Sequence, residues 1–214
     1  MKLVSVNVGL PREVEHDGDL ILTSIFKEPV AGRVRVTRLN LEGDRQSDLT
    51  VHGGRDKAVY AYPSENYASW RRELPEAELP WGVFGENLTM EGLTEDVVAI
   101  GDRIRCGTVE FAVTQPRLPC FKLGIRFGRP DMVRRFMAAR RSGFYLSVLR
   151  EGELGYGDPI ERIPTDGERV TVRQIFDLFL PDADPMVLEK ATRLPGLPAP
   201  WRERFAAQLA ELQD

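Results

Sequence analysis

Glycine and proline cut the first two-thirds of this chain into short apolar runs, most of them too brief for an ordinary helix and rich in β-branched residues. KLVSVNVG alternates and stops at Gly9-Leu10-Pro11. SIFKEPVAGRVRVTRLNLEGD alternates at Val34 and Val36, between breakers at Pro29, Gly32 and Gly43. Two later stretches, VVAIGDRIRCGTVEFAVTQP and GFYLSVLREGELGYGDPIERI, read as strand, glycine turn, strand, in the manner of hairpins. Helical punctuation lies between them. Ser64 is placed to cap a helix over ENYASWRREL that Pro75 ends, and Asp131 to start one through MVRRFMAARRSG that Gly143 closes. Many short strands with few helices predict a mainly β fold: a closed or nearly closed barrel with peripheral helices.

After about Thr165 the period changes. TVRQIFDLFL, DPMVLEKATRL and APWRERFAAQLAELQ read as three short amphipathic helices, with Pro185 and Pro200 at helix starts. Ile175, Phe176, Phe179, Leu188, Phe205 and Leu209 fall on their apolar faces, and Gln174, Asp177, Glu189 and Lys190 on their wet ones. The expected division is a β domain over residues 1–164 and a three-helix C-terminal extension over 165–214. The extension's apolar faces must pack on the barrel, on the rim of a site or on a second subunit. A homodimer is therefore one arrangement open to it.

Composition excludes several functions. With 214 residues, 42% of them hydrophobic and 29% charged, the chain is an ordinary globular one. A net charge of -4 gives no electrostatic case for nucleic acid. No apolar run reaches bilayer-spanning length, and the start is too quickly charged for a signal peptide. Two cysteines make a poor disulfide framework, so a reducing compartment, the cytoplasm, is expected.

One of those cysteines ends TQPRLPC. Pro116 and Pro119 fix φ twice and remove two backbone donors, so the segment is stiff and extended, aiming the Cys120 thiol. The plain alternative is a thiol that fills a gap in the core. A second cluster, GDRQSDLTVHGGRDKAVYAYP, crowds Asp44, Arg45, Asp48, His52, Asp56 and Lys57 around Gly53-Gly54. Adjacent glycines expose N–H groups suited to an anion, His52 can exchange protons near neutral pH, and Lys57 can neutralise a phosphate. A polar hairpin loop with a structural histidine would carry the same letters. In FGENLT, Glu86 and Asn87 could bind a heterocycle or cap a turn. Cys106, in a turn, reads as structural.

Taken in order, GDRQSDLTVHGGRDKAVYAYP, FGENLT, IGDRI, QPRLPCFKL and GFYLSVLREGELGYGD make the chain resemble MOSC-domain proteins, most closely the YiiM-like branch with its C-terminal helical extension. The resemblance implies a MOSC-type β-barrel, a molybdenum cofactor (Mo-molybdopterin), and reduction of N-hydroxylated compounds such as hydroxylamino purines to the amine. It places the family's proposed molybdenum ligand on Cys120. It would give Arg117 a place beside the anionic metal ligands. Arg45, Lys57, Gly53, Gly54 and Asn87 would serve the cofactor, and His52 or Lys57 would supply protons. Two cysteines are too few for a four-cysteine iron–sulfur cluster, and no Rossmann fingerprint is present, so an external electron-donor protein is implied. A non-catalytic carrier of cofactor or sulfur, and a metal-free thiol enzyme using Cys120 with His52, are the other readings.

Overall fold

The computed structural model describes residues 1–48 and 53–212. Strand β1 (Lys2–Val8) leads into a hairpin of β2 (Arg12–His16) and β3 (Asp19–Thr23). Its turn, Asp17-Gly18, has positive φ at both residues, the conformation Asp-Gly provides cheaply. There follow β4 (Glu28–Pro29), β5 (Arg33–Val36), a 3₁₀ turn (Arg55–Lys57), β6 (Val59–Pro63), α1 (Ser64–Glu73) and β7 (Leu88–Glu91). Then come β8 (Arg103–Cys106), β9 (Val109–Pro116), α2 (Lys122–Phe127), α3 (Met132–Ala139), β10 (Phe144–Arg150), β11 (Gly152–Gly155) and β12 (Ile160–Ile163). Three helices close the described chain: α4 (Val172–Asp177), α5 (Pro185–Arg193) and α6 (Ala199–Glu211).

Eight strands form one sheet in the order β12-β8-β9-β10-β6-β7-β1-β4. The pairing is antiparallel except between β6 and β7, which run parallel with α1 in the crossover. The sheet is not a closed barrel. The segment before β12 reaches back to β1 at an isolated bridge, Lys2 to Pro159, with Ile160 N–H donating to the Met1 carbonyl, Leu3 N–H to that of Asp158 and Gly157 N–H to that of Leu3.

Four local expectations are corrected. GFYLSVLREGELGYGDPIERI is not a self-paired hairpin: β10 pairs with β9 and β6, β11 with β5 and β12 with β8. The one-residue link after Arg150 sends β11 to the β5 edge instead. Ser64 is the first residue inside α1, and extended Pro63 takes the cap position. Helix α3 ends at Arg140 in the left-handed region, before Gly143 is reached. Helix α2, immediately after the Cys120 arm, was not anticipated at all.

Two apolar clusters fill the interior. The larger joins the sheet's inner residues, such as Leu3, Ile104, Phe111 and Leu146, to Val172, Ile175, Leu188 and Phe205 of the C-terminal helices. The smaller is aromatic, built on Tyr60, Tyr62, Tyr67, Trp70, Phe84 and Phe136. Thr171 and Gln174 form a reciprocal capping box on α4, and Asp184 caps α5 ahead of Pro185. Among the described residues no helix is long and apolar enough to cross a membrane.

Asp102, from IGDRI, fastens the segment that leads into these helices. Its buried carboxylate accepts from Ala99 N–H at 3.0 Å, Thr165 N–H at 2.9 Å and Arg162 Nη1 at 2.9 Å. Asp102→Ala leaves the partly exposed Arg162 guanidinium and two amide donors without their acceptor, so a loss of about 1–3 kcal/mol is expected, read from denaturant unfolding.

Candidate functional site

The smaller cluster floors a cavity at the rim of the sheet. Neighbouring strands β6 and β10 set Tyr60 opposite Tyr145, with ring centroids 5.3 Å apart. Beyond the end of β9, the two prolines carry the chain past Arg117 to Cys120, with no regular structure until α2 begins at Lys122. Thr23, Ser24, Ile25 and Lys27 enter from the stretch after the β2–β3 hairpin. Asp44, Gln46, Ser47, Gly53 and Lys57 come from the loop before β6, and Gly85 and Asn87 from the turn before β7. Thr114 Oγ1 ties that loop down, lying 2.6 Å from the Asp56 carbonyl and 3.1 Å from that of Tyr145.

Asp44 is the hub. Its Oδ1 accepts from Gly9 N–H at 2.8 Å and from the Lys27 ammonium, and its Oδ2 accepts from Asn87 Nδ2 at 2.9 Å. Asn87 is itself pinned, since Tyr60 N–H donates to its Oδ1 at 3.1 Å and its own N–H reaches the Tyr60 carbonyl at 2.8 Å. Lys27 and Asp44 are both buried. Burial pulls the Lys27 ammonium below the ordinary lysine value, with Asp44 and then Glu86 opposing. Lys57 is also lowered by burial, opposed by Asp56.

Arg117 is buried, donates from Nη1 to the Phe84 carbonyl at 2.8 Å, and lies 5.0 Å from the Tyr60 ring centroid and 5.4 Å from that of Phe136. Burial opposes its charge. Tyr60, Tyr145 and Cys120 nevertheless hold the guanidinium above its usual value. The phenols of Tyr60 and Tyr145 are pushed up by burial, with Arg117 as the main counterweight. Ser24 Oγ is fully enclosed and has no hydrogen-bond partner among the described residues.

Of the residues singled out from the sequence, Cys120, Arg117, Lys57, Gly53 and Asn87 line this one cavity. Arg45 does not: it is exposed, and its N–H goes to the Gly9 carbonyl. Gly54, at φ 79°, is exposed at the start of the 3₁₀ turn and is not part of this lining. His52 lies outside the described residues. Glu86 turns away into the aromatic cluster, where it accepts from Tyr67 OH, Gly82 N–H and Thr89 Oγ1. Sequence reasoning missed Lys27, Lys122, Tyr60 and Tyr145. A lysine two residues before a proline and tyrosines in an apolar strand carry no local mark of a site. Among the described residues no group of three or more His, Cys, Asp or Glu could hold a metal ion.

The two cysteines differ sharply. Cys120 is half-buried in the cavity wall, whereas Cys106 is buried and its thiol is pushed up to about 12 by burial, then by Asp158. At pH 8, iodoacetamide is expected to alkylate the folded protein at Cys120, with Cys106 labelled only after unfolding. Peptide mass spectrometry reads the outcome.

The MOSC domain model matches residues 48–161. The Bacillus subtilis protein YflK is 39% identical over 204 residues, covering 95% of this chain and 92% of that protein. A Gibberella moniliformis protein named "Reductase" is 36% identical over 161 residues, which are 74% of this chain and 28% of that protein. The crystal structure of YiiM from Geobacillus stearothermophilus superposes with a TM-score of 0.80 at 33% identity, covering 97% of this chain and 98% of that one.

Proposed function

This chain belongs to the MOSC-domain family, with a YiiM-like fold over its length, and on that premise we propose that its cavity binds a molybdenum cofactor and reduces N-hydroxylated compounds. The observation that carries the reading is the company Cys120 keeps. Among the described residues four cationic side chains, Lys27, Lys57, Arg117 and Lys122, line the cavity with it, against the single carboxylate of Asp44. That excess of positive charge suits an anionic ligand.

The residues present fit the cofactor. Cys120 offers a soft thiolate, the ligand class that molybdenum–sulfur chemistry favours, with no competing cluster of oxygen and nitrogen ligands among the described residues. The enclosed Ser24 hydroxyl lacks a partner that a polar ligand would supply. Cys120 would hold the metal, Arg117 would counter the charge around it, and Lys57, Lys122 and Ser47 would meet the anionic end. When bound, the cofactor supplies a two-electron centre that can accept oxygen. Tyr60 and Tyr145 offer an aromatic wall, and the buried surroundings restrict water.

The overall reaction is R–NHOH + 2e⁻ + 2H⁺ → R–NH₂ + H₂O. The electrons would come from an external redox protein, since two cysteines are too few for a four-cysteine iron–sulfur cluster and the sequence carries no Rossmann fingerprint. The relative named a reductase supports oxidoreductase chemistry over the matched 161 residues.

Protein expressed with molybdate and an intact cofactor pathway is expected to contain molybdenum and pterin, and to form amine from a hydroxylaminopurine with dithionite-reduced viologen as donor. Cys120→Ser should fold but lose the metal and the activity, while Cys106→Ser retains both. Full metal content and activity in Cys120→Ser would remove the ligand assignment.

Arg117→Ala should lower cofactor occupancy, because truncating a buried charge partner costs roughly 2–5 kcal/mol. It also removes the strut between the Tyr60 and Phe136 rings. Arg117→Lys, which keeps the charge and loses the fork, separates the two effects when pterin content and unfolding are measured together.

A further inference from the structure

Lys27 is a buried cation of the cavity, held there by an ion pair to the hub carboxylate. The residue is 7% exposed, and among the described residues its ammonium donates to one acceptor, Asp44 Oδ1. An ammonium has three N–H groups, and among the described residues two of them meet no protein acceptor and face the cavity the side chain lines. Leaving them unmet in a buried place is costly, which marks the position as one built to face a polar ligand. Asp44 cannot turn to follow a moving partner, because Gly9 N–H and Asn87 Nδ2 hold it on both oxygens.

We propose that Lys27 is the proton donor of the cavity, with Asp44 and Asn87 as its positioning residues, and that it protonates the oxygen leaving the N–OH group. This rests on the reductase reading above. As the N–O bond breaks, a Lys27 Nζ proton passes to the departing hydroxyl oxygen, which leaves as water. Two electrons from the external donor complete the cleavage, a second proton from solvent goes to nitrogen, and the Lys27 amine regains its proton from solvent.

The other cations serve this step less well. Arg117 does not release a proton at any relevant pH. Lys122 Nζ is engaged with the Leu22 carbonyl at 3.0 Å and Ser47 Oγ at 3.3 Å. Lys57, lowered by burial, is the competitor, and the test separates it. The charged groups facing Lys27 are Asp44 in contact and Glu86 at longer range, with Lys57, Arg117 and Lys122 around the same cavity. Burial dominates among these influences and makes Lys27 a stronger acid than an exposed lysine. A donor must be protonated to act, so kcat falls as pH rises through that lowered value.

The experiment measures kcat against pH for molybdenum-loaded wild type, Lys27→Arg and Lys57→Arg, with a hydroxylaminopurine and dithionite-reduced viologen. Lys27→Arg keeps the Asp44 ion pair and the metal, yet kcat should fall by about 10²–10⁴ and the alkaline fall should vanish. Lys57→Arg should retain that alkaline fall. An unchanged kcat and profile in Lys27→Arg, or loss of the alkaline fall in Lys57→Arg instead, overturns the assignment while leaving the reductase reading intact. A metal-loaded wild type inactive on every N-hydroxylated substrate overturns the reading itself. Should Lys27→Arg fail to fold or load metal, Lys27→Ala in methylammonium chloride replaces it. Turnover rising with methylammonium supports the role, and turnover indifferent to it ends it.

Discussion

A buried carboxylate holds this cavity together. Moving Asp44 out of water costs several kcal/mol, and the structure offsets that with the Lys27 ammonium, a Gly9 amide and the Asn87 side chain. Each donor comes from a different part of the chain, so one side chain locks the end of β1, the approach to β4 and the turn before β7 into a single arrangement. Asn87 passes the restraint on to Tyr60, and Tyr60 leads through its ring to Arg117. The arm bearing Cys120 is therefore referenced, through a short series of polar contacts, to the same carboxylate.

Charge and burial divide the work between two interiors. Beneath the cavity, an aromatic cluster supplies stiff rings against which the Arg117 guanidinium lies, with no carboxylate in ion-pair reach among the described residues. Elsewhere, an aliphatic core runs unbroken from the sheet into the C-terminal helices, so those helices add to the main core rather than enclosing one of their own. The cavity draws no lining residue from them. Polar chemistry and bulk apolar burial are thus kept in different parts of the molecule.

Local rules were a sound guide wherever local physics decides. The β8–β9 hairpin follows from alternation about Gly107, and α5 from Asp184-Pro185. The aimed thiol was legible because two prolines leave the backbone few choices. Where a contact between distant segments decides, the letters were silent. Strand β11 turns to β5 because that edge is open to it, a fact absent from GELG. Lys27 looks like any surface lysine until Asp44 arrives from a loop beyond two further strands. Asn87 was noticed for its amide, and the structure adds a second task, since the side chain that lines the cavity also braces Asp44. Arg45 and Gly54 sat beside true lining residues in sequence, and the turn of the backbone pointed them outward.

The bridge between Lys2 and Pro159 bears on how the chain is made. Strand β1 precedes its partners in the chain, yet one of its edges waits for β7 and the other, beyond its short pairing with β4, meets residues at the far end of the sheet, synthesised much later. Closing so long a loop carries an entropic cost that only late-formed contacts can offset. Until then β1 presents an apolar edge to the cell, open to mispairing and to chaperones. Gly9, just past the end of that strand, is one of the donors to Asp44, so the cavity draws on a strand whose first residues pair with a segment made much later.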